Sequence, residues 1–291
     1  MEITLETLMK RRSVRSYSGQ PLSTIQRVLL EQVMLKAAGP CLFGHQPRFR
    51  LAGPGLIPGE GTGNAPASFK IGTYGLVKNP PAFIIGAVAA GPGAVLDYGY
   101  ALEGIILAAT ATGLGTCWLG GTFDRNATKE FLDLKEGELI PAITPVGLPA
   151  EQRSLTERTM RFLARSDSRK PWDQLFYDGQ LDKPLDMARA GEWTPVLEAV
   201  RMGPSASNKQ PWRVLRDDPS HFSLLFAEDR GYNNALGLPI QELDLGIAMK
   251  HFELAARACG LPGNWSKGTP PSAPHTDASG NALRYIASWE T

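Results

Sequence analysis

Cysteine is scarce in this 291-residue chain: Cys41, Cys117 and Cys259 are an odd number with no C-x-x-C spacing. That argues against a disulfide framework and a zinc site, both of which need thiols at short range, and it fits a reducing, cytoplasmic setting. Four histidines, His45, His221, His251 and His275, are scattered without metal-ligand spacing or a Ser-Asp partnership. Neither sign of charge is in excess. The formal net charge of +1 gives no argument for nucleic acid or an anionic membrane as partner. The most apolar stretch, residues 101–111, is too short to span a bilayer and contains Glu103. No N-terminal segment joins a charged start to an apolar run, so no secretory leader is expected. Gly59, Gly61 and Gly63 have the wrong spacing for G-x-G-x-x-G, and no G-K-[ST] phosphate loop occurs.

What is present is an ordinary globular composition, 43% hydrophobic and 20% charged, long enough for one large or two modest domains. Thr4 is placed to cap a first helix with Leu5, Leu8 and Met9 on one face, ending close to Arg11. Ser23 and Gln26 have capping-box spacing at the start of a second helix, which Gly39-Pro40 stops. Residues 97–112 are apolar nearly all round and read as a buried central helix ended by Gly113. Residues 53–75, rich in Gly and Pro, read as a long loop in which Lys70 could cover a ligand. Strands are expected around Phe83-Ile84-Ile85 and over 140–148, 212–215, 222–226 and 283–289. Thr194-Pro195 opens another helix, with Pro at its first position. The polar, basic residues 151–183 read as a linker arm on the surface. Helices and strands mix without regular β-α-β alternation, so the fold class is α+β.

Two patterns recur within the chain. Gly39-Pro40-Cys41-Leu42-Phe43-Gly44-His45-Gln46-Pro47 matches Gly203-Pro204-Ser205-Ala206-Ser207-Asn208-Lys209-Gln210-Pro211 at a constant offset of 164, with Gly-Pro in front and Gln-Pro behind. Asp97, Leu107-Ala108-Ala109, Gly113-Leu114 and Trp118 match Asp244, Leu254-Ala255-Ala256, Gly260-Leu261 and Trp265 at a constant offset of 147. Leu-Ala-Ala alone recurs by chance in any Ala-rich chain. Two long matches in the same order indicate two homologous halves fused in tandem, with expected boundaries 1–183 and 184–291. Amphipathicity is stronger in the second copy of the long helix, where Lys250, Glu253 and Arg257 are expected to face solvent.

The segment Arg11-Arg12-Ser13-Val14-Arg15-Ser16-Tyr17, taken with Pro204-Ser205-Ala206-Ser207-Asn208-Lys209-Gln210-Pro211-Trp212, resembles the FMN-dependent nitroreductase family. The resemblance covers essentially the whole chain and is greater to fused, two-copy members than to homodimeric ones. It implies a nitroreductase fold with the two halves as an internal pseudo-dimer, and a cofactor, FMN, reduced by NADH or NADPH. In that family the arginine motif holds the flavin phosphate and pyrimidine edge, while the P-S-x-x-N motif comes from the other subunit. Arg11, Arg12, Ser13 and Arg15 are therefore the expected anchor, and Pro204, Ser205, Ala206 and Asn208 the closing segment. Guanidinium groups make planar, charge-assisted contacts of roughly 1.5–3 kcal/mol each. On the residues alone, the cluster reads sooner as a solvated helix end meeting the helix dipole, and it is the family context that favours the flavin.

The resemblance also brings in Gly120 and Gly121, where the family's main chain passes the flavin ring and a missing Cβ permits close approach; a plain strand–turn junction is the alternative. Arg169 and Lys170, with Arg165 nearby, fall where a further phosphate-binding cation is expected, although a charged surface arm accounts for them equally well. Cys117 reads as a packed small hydrophobe, since no base is placed beside it. The second half has no arginine motif, reading LDMARAGEWT over 185–194, and the first half has Cys41 and Gly44 in place of Ser and Asn. Each half keeps the motif that the other lacks, so one composite site is expected. The activity implied is NAD(P)H oxidation coupled to a small-molecule acceptor such as a quinone or nitroaromatic, by a monomeric pseudo-dimer that needs no metal and no catalytic side chain. Two alternatives stand beside it: a flavin-binding or flavin-consuming protein that uses no nicotinamide, and a non-enzymatic scaffold on the same fold.

Overall fold

The computed structural model describes residues 2–39, 41–53, 71–151, 168–229, 231, 238–270, 276 and 282–291. Its chain forms two compact units, one of Lys10–Ala164 and one of Glu2–Met9 with Arg165–Thr291. The first helix, α1 (Leu5–Lys10), therefore lies with the second unit except for its last residue. The Thr7 amide donates to the Thr4 hydroxyl at 3.3 Å, as the cap requires, and Leu8 is fully buried.

The first unit is built on an antiparallel sheet in the order β1 (Arg48–Ala52), β2 (Ala82–Ala89), β5 (Ile143–Gly147), β3 (Gly115–Thr116), with β4 (Glu138–Leu139) also against β2. Helix α2 (Thr24–Ala37) opens with the Ser23–Gln26 capping box that the spacing predicts. The central helix α3 (Ala94–Ala111) is buried along nearly its whole length. Each fully buried Leu or Ile on it stabilises the unit by about 1.5–3 kcal/mol. Gly113 adopts φ +80° directly after it, a left-handed turn that glycine enters without steric cost. The buried Tyr98 hydroxyl is shared between the carbonyls of Ala142 (2.6 Å) and Gly86 (3.2 Å), fixing α3 against the sheet. A Cβ on Gly86 would stand 2.4 Å from the Phe49 ring, so only glycine fits there. Arg48 grips Glu138 through two hydrogen bonds of 2.9 and 2.6 Å, which tie β1 to β4 and hold the carboxyl down at about 2. Helix α4 (Arg125–Leu132) starts at Asp124, whose carboxylate caps it.

The second unit has the sheet order β10 (Asn264–Ser266), β11 (Arg284–Glu290), β9 (Phe222–Phe226), β8 (Trp212–Arg216), β6 (Phe176–Asp178), β7 (Gln180–Pro184). Among the described residues of this sheet, only the β6–β8 pairing is parallel. The short helix α5 (Met187–Ala190) leads to α6 (Thr194–Met202), and α6 packs on the long helix α7 (Gln241–Ala258). Phe252 on α7 sits among Trp193, Phe222, Trp265 and Trp289, with ring centroids 5.1–5.7 Å away.

The units share an internal plan. The order β1-β2-β5-β3 is repeated as β8-β9-β11-β10. Helices α3 and α7 are both 18 residues long and their bounds differ by the same 147 positions as the sequence repeat. Likewise β1 and β8 begin and end 164 positions apart.

Two expectations need correction. Part of the supposed surface arm is sheet: Leu175 and Phe176 are fully buried, and β6 and β7 join the sheet of the second compact unit, which takes in the chain from Arg165. Three apolar residues inside a polar stretch were enough to build a strand. Glu253 does not face solvent but is buried, because Arg257 at 2.6 Å and Lys250 at 3.5 Å compensate its charge.

Candidate functional site

In the first unit, the arginine segment leaves α1 and runs extended instead of continuing as a helix end. The Val14 amide donates to the Thr116 carbonyl at 2.8 Å, Lys78 N to Arg15 O at 2.8 Å, and Tyr17 N to Lys78 O at 3.0 Å. Buried Tyr17 donates its hydroxyl to Val14 O at 2.7 Å. Hydrogen bonding on both edges thus fixes the main chain, while the side chains project at alternate positions. Arg11 is buried, Arg12 exposed, and Ser13 and Arg15 half-buried. Ser13 is bridged to Thr116, whose buried hydroxyl makes no hydrogen bond among the described residues.

The chain from β3 continues through Cys117 and Trp118 to the two glycines. Cys117 is buried and its amide donates to the Thr144 hydroxyl at 3.1 Å, in agreement with a packing role. Trp118 Nε1 donates to the buried Glu103 carboxylate at 2.7 Å. Arg125 holds the Gly120 carbonyl at 2.6 Å, and Gly121 is exposed. Neither glycine has a positive φ, so backbone conformation does not require glycine at either position.

The second unit brings Arg169, Lys170, Ser205, Ala206 and Asn208 together. Ser207, Asn208 and Gln210 have φ of +48°, +54° and +44°. Three non-glycine residues in the left-handed region within four positions is strain of roughly 1–3 kcal/mol each, which persists only where the surroundings dictate it. The surroundings do so here. Arg169 Nη1 donates to Asn208 Oδ1 and its Nη2 to the Met202 carbonyl at 3.1 Å. Asn208 Nδ2 donates to the Ser168 carbonyl at 2.6 Å. Buried Gln210 accepts from the Lys170 amide at 2.6 Å, donates from Nε2 to the Arg201 carbonyl at 2.8 Å, and from its main chain to Ser205 Oγ at 2.9 Å. Asp244, in the first turn of α7, accepts from the Ala206 amide at 2.9 Å. Burial pushes this carboxyl well above the usual carboxylate range, and the Ala206 hydrogen bond only partly opposes that rise. Pro204 is buried at the loop's entrance.

The matching loop of the first unit is anchored in the same way. Asp97 on α3 accepts from the amides of Phe43 (3.1 and 3.2 Å) and His45 (3.1 Å). The Phe43 ring packs where a Cβ on Gly93 would come within 2.5 Å of it, and His45 contacts the Pro92 carbonyl at 3.0 Å. Sequence reasoning paired Asp97 with Asp244 but gave neither a task, and it passed over Gln210. A buried acid in the first turn of an apolar helix, repeated at fixed offset, was the available signal. Lys70 and Arg165 lie outside the described residues, as do residues 54–70 of the long loop and 152–167 of the polar arm.

Two α+β units, each with a long buried helix, the first with an extended arginine segment and the second with a strained P-S-x-x-N loop, define a class, and comparison with known proteins identifies it. The chain belongs to the nitroreductase family: residues 64–256 match the family model described as "Putative TM nitroreductase". A curated relative from Archaeoglobus fulgidus, "Putative NADH dehydrogenase/NAD(P)H nitroreductase", is 27% identical over 186 residues, which are 59% of this chain and all of the relative. Among solved structures, a Thermotoga maritima protein described as a "putative nitroreductase" aligns over 99% of this chain and 93% of its own, with 19% identity and a TM-score of 0.59, a likeness of fold. The FMN-bound nitroreductase of Bacteroides fragilis aligns over 52% of this chain and 90% of its own, with 22% identity and a TM-score of 0.39.

Proposed function

We propose that this chain is a duplicated nitroreductase that binds one FMN and oxidises NADH or NADPH, passing two electrons to a small-molecule acceptor such as a quinone or nitroaromatic. The observation that carries the reading is the division of motifs. The arginine segment occurs only in the first half and Ser205–Asn208 only in the second, so one complete set exists per chain. The repeated strand order and the helices of equal length at the 147-residue offset support the duplication. The reading includes a cytoplasmic monomer whose halves stand in for the subunits of a homodimer.

The residues present fit FMN. A phosphate dianion needs cations on a fixed main chain, and Arg12 and Arg15 are carried by an extended segment bonded on both edges. The buried Thr116 hydroxyl, without a hydrogen-bond partner among the described residues and bridged to Ser13, offers a further polar contact. Bound FMN supplies the redox chemistry, with the nicotinamide as donor. The protein's part is to hold the flavin, orient it and leave an approach for donor and acceptor. Arg11, Arg12, Ser13 and Arg15 are assigned to the phosphate and pyrimidine edge, Gly120 and Gly121 to close main-chain approach, and Pro204, Ser205, Ala206 and Asn208 to the closing segment.

The test is flavin content per chain, read from absorbance after denaturation, followed by anaerobic addition of NADH or NADPH. One flavin per chain, bleached by either nucleotide, is expected. Asn208→Gly keeps the left-handed backbone and removes the amide, so flavin affinity should drop, whereas Cys41→Ala in the first-half loop should leave it unchanged. Two flavins per chain, or sensitivity at Cys41 and not at Asn208, would sink the reading.

A further inference from the structure

Sequence resemblance assigns Arg169 to the flavin phosphate, yet its guanidinium is turned to the P-S-x-x-N loop. Resting on the FMN reading above, we infer that Arg169 is a positioning residue, a clamp that sets the orientation of the Asn208 amide and holds its loop in the left-handed conformation.

Three observations converge. Arg169 uses two separate nitrogens, Nη1 on Asn208 Oδ1 and Nη2 on the Met202 carbonyl, which spans the loop from the end of α6 to Asn208. The other end of the Asn208 amide donates to the Ser168 carbonyl at 2.6 Å, so the residue preceding Arg169 fixes the opposite side of the same group. With an acceptor and a donor engaged by neighbouring residues, the amide has one orientation and cannot flip. Next in sequence, the Lys170 amide donates to Gln210 Oε1 at 2.6 Å, so three consecutive residues, 168–170, hold both Asn208 and Gln210. These are two of the loop's three residues at positive φ. The segment supplies the over-determination that such conformations demand. The fork geometry matters as much as the charge, because an ammonium cannot reproduce two fixed, divergent N–H directions.

Lysine substitution separates clamp from phosphate ligand. A phosphate contact tolerates Lys, which retains the point charge, and its loss penalises FMN while sparing riboflavin. A clamp acts through Asn208 and is indifferent to the phosphate. Apo-protein titrated with FMN and with riboflavin should show Arg169→Lys weakening both by the same factor, roughly ten- to a hundredfold. The double variant with Asn208→Gly should lose little more than the worse single variant. A loss confined to FMN, or full FMN affinity in Arg169→Lys, would overturn the assignment while leaving the flavin reading in place. A flavin-free arm tests the clamp by itself. In 15N-labelled apo-protein the Asn208 side-chain amide protons should exchange slowly in wild type and rapidly in Arg169→Lys, with the remaining amide spectrum retained. Unchanged exchange would refute the clamp. Wild-type protein that takes up neither flavin would instead defeat the FMN reading, and the exchange result would still decide the clamp.

Discussion

Replacing Asp244 by Asn should reverse in sign between acid and alkaline pH. The carboxyl is buried, with Oδ1 on the Ala206 amide at 2.9 Å and Oδ2 making no hydrogen bond among the described residues. Because burial raises its pKa above the ordinary 3.8, the folded protein keeps a proton that the unfolded chain loses above that value. Stability from this group therefore falls as pH rises from the unfolded towards the folded pKa, by up to about 1.4 kcal/mol per pH unit. Asparagine keeps the acceptor for Ala206 and never titrates. Its amide puts donors where Oδ2 makes no hydrogen bond among the described residues, and leaving them unsatisfied is a fixed cost of about 1–3 kcal/mol. Near pH 4 the variant should be level with wild type or less stable. The difference should then shift steadily in the variant's favour as pH rises. Urea midpoints followed by tryptophan fluorescence from pH 4 to pH 8 measure it, and the other titrating groups cancel in the comparison. Parallel pH profiles for the two proteins would show that burial does not control this carboxyl.

Other outcomes follow from the same contacts. Arg12→Ala or Arg15→Ala should weaken FMN roughly ten- to a hundredfold and riboflavin much less; equal losses for both ligands in a titration would remove the arginines from the phosphate. Phe252→Ala removes a side chain that is 1% exposed and packed among four aromatic rings, so denaturant unfolding should report a loss of about 3–5 kcal/mol, with Phe252→Leu losing less. Glu138 titrates at about 2 against an ordinary 4.5, so its stabilisation is fully present above 4.5 and is lost as pH falls through about 2. Acid unfolding of Glu138→Gln should lack that component, and an unaltered acid profile would discount the Arg48 pair.

Much of the fold was legible because each element carried its own local signal. Ser23 and Gln26 marked the start of α2, Gly113 the end of α3, and the strand expected over 222–226 matches β9. The repeat offsets could be read for the same reason: they depend on identity and spacing alone. The strand Phe176–Asp178 was not legible, since its parallel partner Trp212–Arg216 lies far along the chain and its flanks are polar. At the candidate site, residue types were visible and conformations were not. Nothing in Ser207-Asn208-Lys209-Gln210 announces three positive φ values, and the fork of Arg169 onto Asn208 depends on folding. Glu253 misled for a similar reason, since its burial rests on Arg257 one turn further along α7.

The grouping of Glu2–Met9 with Arg165–Thr291 bears on how the protein is made. Buried Leu8 leaves the ribosome ahead of the first unit, but the rest of the unit it belongs to begins 156 positions after Met9. At roughly 5–20 residues per second, that interval is about 8–30 s of synthesis. The N-terminal helix therefore spends the translation of the entire first unit without its packing partners. The second unit can complete its packing only after the whole of the first has been made. Severing the chain near residue 164 would likewise separate the second unit from the helix it needs, so two complementary fragments should recover that packing only by associating.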